Sequence, residues 1–96
     1  MNEVRCFRQV LEWSDGKKNT VWSQTIDDRI GEDLVRQLSI DLAFQNPDNE
    51  KPDVTLKPVS AAEKIDCNRL PAKRLSSPRK CEAVPGFMVV AIDDGT

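Results

Sequence analysis

The run Thr20-Val21-Trp22-Ser23-Gln24-Thr25-Ile26-Asp27-Asp28-Arg29-Ile30-Gly31-Glu32-Asp33-Leu34-Val35-Arg36-Gln37-Leu38-Ser39-Ile40-Asp41-Leu42-Ala43-Phe44 changes its hydrophobic period part-way, and that change decides the fold. Up to Ile26 the residues are β-branched, aromatic and small polar types, the composition of a half-buried strand. From Asp27 onward Ile30, Leu34, Leu38 and Leu42 recur at four-residue steps with Val35 beside them, the stripe an amphipathic helix lays on a core. Thr25 or Asp27 is placed to cap that helix, and Asp28, Glu32 and Asp33 sit well against the positive end of its dipole. Asn46-Pro47-Asp48-Asn49 stops it, because proline bars continuation and biases its predecessor away from helical angles. Leu34 and Leu38 fall at the centre of the predicted buried face.

Upstream, residues 4–13 alternate apolar and polar types, and Ser14-Asp15-Gly16-Lys17-Lys18-Asn19 is turn chemistry, so a hairpin is predicted. A tight Asp15-Gly16 turn would set Phe7 opposite Gln24 and Gln9 opposite Trp22. A four-residue loop, 15–18, sets Phe7 opposite Ile26, Leu11 opposite Trp22 and Trp13 opposite Thr20. The longer loop gathers the apolar groups on one face, and cross-strand apolar pairs each contribute roughly 0.2–1 kcal/mol. It is therefore preferred, and it makes Trp22 a core residue and Trp13 the less enclosed of the two.

Downstream, Val54-Thr55-Leu56-Lys57-Pro58-Val59 reads as a short strand, confined by Pro58 to a sheet edge. Ser60-Ala61-Ala62-Glu63 has the capping-box pattern, predicting a brief helix to about Asn68. Residues 70–86 hold three prolines, two serines and four bases and read as loop. Phe87-Met88-Val89-Val90-Ala91-Ile92 is a closing strand buried on both faces. The predicted fold is a single α+β domain over 1–96, order ββαβ(α)β, with the main helix on an antiparallel or mixed sheet and a flexible basic loop at about 69–86.

With 96 residues the chain supports one small core. It has no histidine, so the commonest general base and metal ligand are both missing, and no tyrosine. Cys6, Cys67 and Cys81 form no closely spaced pair, and an odd count does not suggest a disulfide scaffold. Reduced thiols and an intracellular, cytoplasmic location are the expectation, with no apolar run of membrane-spanning length and no secretory leader in Met1-Asn2-Glu3-Val4-Arg5. Three thiolates and a carboxylate could hold zinc in principle, but such sites use clustered ligands, so no metal and no cofactor is assigned. Cys81 follows Arg79-Lys80, whose charge could activate a thiol, yet no base accompanies it. The numerous carboxylates match no defined ligand or phosphate-loop pattern. No catalytic residue is assigned.

Charge is what remains. The net value is −2, but residues 1–54 carry 11 acids and 7 bases, whereas within 64–80 six bases oppose only Asp66. The leading expectation is a non-enzymatic interaction domain, a small regulator or inhibitor of the kind a phage or mobile element carries. It would dock Asp33, Ile40, Asp41, Phe44, Asp48 and Glu50 on a basic, partly apolar surface of a protein, such as the channel of a nucleic-acid-processing enzyme. Ile40 and Phe44 lie off the predicted core stripe, and an apolar pair with a charged rim suits an interface, including a homodimer. The alternative expectation is nucleic-acid binding through Lys73, Arg74, Arg79 and Lys80 with Trp13 as a stacking platform. In that reading the four bases stand outside the core, so reversing their charge would leave the fold intact. Ser77-Pro78-Arg79-Lys80 also has the form of a proline-directed kinase site.

Overall fold

The alternation upstream of the helix becomes a hairpin of two eight-residue strands, β1 (Arg5–Glu12) and β2 (Lys18–Thr25), in a computed structural model that describes residues 3–44, 55–57 and 61–93. Its register differs from both predicted ones. Phe7 lies opposite Ser23, Gln9 opposite Val21 and Leu11 opposite Asn19, around a five-residue connection, 13–17. That connection is closed by Trp13 N–H on Lys17 O (2.9 Å), Gly16 N–H on Trp13 O (2.9 Å) and Lys17 N–H on Asp15 Oδ1 (3.0 Å), with Gly16 at φ +85°. A positive φ at this point favours glycine, which has no Cβ to clash. The outcome reverses the two tryptophans. Trp13 is buried, its indole N–H donating to Asn19 Oδ1 at 2.6 Å, whereas Trp22 turns to the other face and keeps partial solvent access.

The inner face of β2 is thus Asn19, Val21, Ser23 and Thr25, all buried. These small side chains let the helix α1 (Glu32–Ala43) approach closely, and Ser39 Oγ meets Ser23 Oγ at 3.3 Å. The buried face of α1 is Val35, Leu38, Ser39, Leu42 and Ala43. Leu34 is a correction to the predicted stripe: it is 42% exposed, and Val35 takes its place at 0%. The reason is geometric. At 100° per residue a strict four-residue step winds about 40° around the helix each time, so Leu34 and Leu42 diverge by about 80°. Ile30 is buried, but it precedes the helix, whose N-cap is Gly31 with no side-chain bond; neither Thr25 nor Asp27 caps it.

Asp27 instead organises the turn before the helix. Its carboxylate accepts from the Arg29 backbone N–H (2.9 Å) and from Arg29 Nε and Nη2 (3.0 and 2.8 Å). Arg5 Nη2 holds the same turn by donating to Asp27 O and Ile30 O. The Arg29 side chain, then its backbone N–H, lower the Asp27 carboxyl from 3.8 to about 2. A depressed folded-state value means this contribution to stability is complete above about 3.8 and is lost as the pH falls through 2. A carboxyl-carbon NMR titration should give an Asp27 midpoint near 2. Arg29→Ala should return it towards 3.8, and an ordinary midpoint in the parent protein would refute the assignment.

The remaining strands are β3 (Glu63–Ile65), β4 (Arg79–Lys80) and β5 (Phe87–Asp93). The sheet order is β3-β1-β2-β5-β4, and every neighbouring pair is antiparallel. The α+β class holds, with more strands than predicted. Phe87, Val89, Val90 and Ala91 of β5 are buried, as its unbroken apolar run requires. The predicted helix after Ser60 is replaced by β3 and a 3₁₀ turn, Cys67–Arg69, whose N-cap Asp66 accepts from Asn68 N–H at 2.9 Å. Pairing Cys6 with Ile65 across the sheet satisfies more backbone than one helical turn could. Of the predicted strand 54–59 the described part is Thr55–Lys57, tied to the hairpin end by Ser14 N–H on Thr55 O, Lys57 N–H on Glu12 O and a Trp13–Leu56 bridge.

Two further expectations are corrected. Cys6 and Cys67 form a disulfide across 61 positions, so only Cys81 is a free thiol. Cysteines far apart in sequence meet here because β3 pairs with β1, which spacing alone does not reveal. The basic segment expected as a flexible loop at 69–86 contains β4, and Leu75 N–H donates to Val90 O at 2.9 Å. No helix among the described residues is long and apolar enough to cross a membrane.

Candidate partner-binding face

The helix determines which predicted site residues can act together. At 100° per residue Asp33, Leu34, Gln37 and Asp41 share the side of α1 opposite its buried face, and all four are exposed. Asp33 reaches Arg36 at 3.6 Å with its side chain 97% exposed, so this pair contributes little. Gln37 donates to Asp41 Oδ1 at 3.0 Å, one turn along. Ile40 and Phe44 flank the ridge and are partly buried against the core. Phe44 packs edge-to-face on Trp13 with ring centroids 4.8 Å apart, the geometry aromatic quadrupoles favour. Asp33, Asp41 and the rims of Ile40 and Phe44 therefore lie on or beside one face. Asp48 and Glu50 lie outside the described residues.

The second predicted set separates. Trp13 is 7% exposed beneath Phe44, so no base can stack on it. Arg79 donates from Nη1 to Leu42 O (3.2 Å) and Ala43 O (2.6 Å). These are carbonyls of the last turn of a helix that has no base in that turn, and a guanidinium there complements both their accepting oxygens and the dipole. Arg79 is therefore part of the fold, and reversing its charge would set a carboxylate against those carbonyls. Lys73, Arg74 and Lys80 are exposed.

Leu34 is the residue sequence reasoning missed, because it was assigned to the core. The divergence of a four-residue repeat from the helical period is the signal that would have exposed it. Among the described residues no three His, Cys, Asp or Glu side chains are grouped to hold a metal ion. The chain matches no family model, no curated protein and no solved structure.

Proposed function

We propose that the protein is a non-enzymatic interaction domain, a small regulator or inhibitor, that docks the outward face of α1 on a basic, partly apolar site of a protein partner. The observation that carries this reading is Leu34: a large apolar side chain 42% exposed on a helix whose opposite face is fully packed. Asp33 and Asp41 frame it, so a partner must offer an apolar recess with positive charge at its margins. Such a surface occurs in the channel of a nucleic-acid-processing enzyme, where carboxylates can stand in for phosphates. The same face would also serve two copies poorly, since acid would meet acid across a symmetric contact. The expectation of a cytoplasmic location rests on reduced thiols. With Cys6 joined to Cys67, an oxidising compartment is the better-supported proposal.

Photo-crosslinking from position 37 in the native host tests the reading, with a second probe at position 8 on the far side of the sheet. A discrete adduct from position 37 is expected, competed by rising salt and lost when Asp33→Lys and Asp41→Lys are combined. Adducts from position 8 alone, or an adduct indifferent to the charge reversal, would overturn it.

A further inference from the structure

β4 (Arg79–Lys80) forms one margin of the sheet, and among the described residues no strand lies beyond it. Arg79 stands opposite Val89 and Lys80 opposite Met88, and Cys81 N–H continues the ladder by donating to Phe87 O at 3.2 Å. In an antiparallel pair successive residues alternate between bonding their neighbour and facing away from it. Cys81 bonds inward, so the N–H and carbonyl of Lys80 point out from the sheet. An outward donor and acceptor at an edge are a template for another strand.

Short edge strands and edge lysines commonly guard against such pairing. Here the neighbouring residues turn that charge into an attraction in one register. In Arg79-Lys80-Cys81-Glu82-Ala83 a two-fold axis at Cys81 sets Lys80 of each copy opposite Glu82 of the other. Both side chains are exposed, and among the described residues neither has an ion-pair partner. A slip of one residue would oppose side chains from different faces of the sheet. A slip of two would set Lys80 against Lys80 or Glu82 against Glu82. Lys80, Cys81 and Glu82 also rim an apolar recess of about 400 Å³ whose walls include Ile26, Phe87 and Met88, and Ile26 is 48% exposed.

We propose that two copies of this chain pair through this edge, β4 against β4 in antiparallel fashion about an axis at Cys81, so that their sheets become continuous. A second copy fits better than another protein because the charge pattern is complementary to its own reverse. The chain bends from Glu82 onward, which keeps the contact short, so association is weak and concentration-dependent. The contact lies in the plane of the sheet and leaves the outward face of α1 uncovered, so either proposal can fail without the other.

Sedimentation of the full chain from micromolar to millimolar concentration should show a monomer–dimer equilibrium. Lys80→Glu or Glu82→Lys alone sets like charges opposite each other and should weaken the dimer roughly tenfold, since two cross-strand pairs change from attraction to repulsion. Both changes in one chain exchange the signs and should recover the parental affinity. Thermal melts of all three variants should match the parent, because both side chains are exposed. Register is read by cross-linking in a Cys81→Ser background with oxidised glutathione. Lys80→Cys mixed with Glu82→Cys should give far more disulfide-linked dimer than either variant alone. Each link forms as two thiols exchange with one glutathione disulfide and release two reduced glutathiones. A monomer at every concentration, a dimer indifferent to the single reversals, no rescue by the double change, or equal cross-linking of mixed and single samples would overturn the proposal. So would a dimer abolished by Leu34→Asp, which would put the contact on α1.

Discussion

Cys67→Ala is expected to lower the stability of the domain by about 4 kcal/mol, the chain-entropy value for opening a closed loop of this length. The loop between Cys6 and Cys67 contains β2 and α1, so the cross-link constrains most of the unfolded chain. It also fastens β3, a strand of three residues that backbone pairing alone would hold weakly at the sheet edge. A loss of 4 kcal/mol is a large share of what a domain of this size possesses. Reductant should therefore lower the melting temperature of the parent as far as the substitution does, and should leave Cys67→Ala unaffected. Thiol titration of the denatured, unreduced protein should find one free thiol, Cys81. Three free thiols, with melting indifferent to reductant, would show that the bond does not form.

Leu38→Ala and Leu34→Ala should differ widely although both remove the same atoms from the same helix. Leu38 is 9% exposed between α1 and the sheet, so its truncation leaves a cavity and costs about 2–5 kcal/mol. Leu34 is 42% exposed, and its truncation should cost under about 1 kcal/mol. In melting temperature the first change amounts to on the order of 10 °C or more. Equal losses would mean that the buried face of α1 is rotated back towards Leu34, which would remove the apolar centre of the proposed docking face.

The elements of this fold were legible where a single period ran long enough to be unambiguous. Residues 5–12, the helix and the closing strand each carry their own pattern, and the glycine at the hairpin turn matches its positive φ. The register was not legible, because grouping apolar residues is only one term in its selection. Burying Trp13 with its N–H on Asn19, and placing Ser23 against Ser39, outweighed gathering Trp22 and Ile26 on the inner face. That single slip determined which tryptophan is enclosed. The disulfide and the role of Arg79 at the end of α1 were hidden for another reason. Both are contacts between residues distant in sequence, created by the sheet order β3-β1-β2-β5-β4 and carrying no local signature. On the helix Asp33 and Asp41 are exposed, and the rotation that puts Leu34 among them is what the four-residue repeat hides.

A backbone amide NMR titration with an amphipathic peptide of leucine and arginine tests the docking face most directly, since that probe offers the apolar and basic chemistry the face requires. The account predicts shift changes centred on Asp33, Leu34, Gln37 and Asp41, abolished by Leu34→Asp without loss of the native spectrum. Changes spread over the sheet with α1 unmoved, or saturation unaltered by Leu34→Asp, would contradict it.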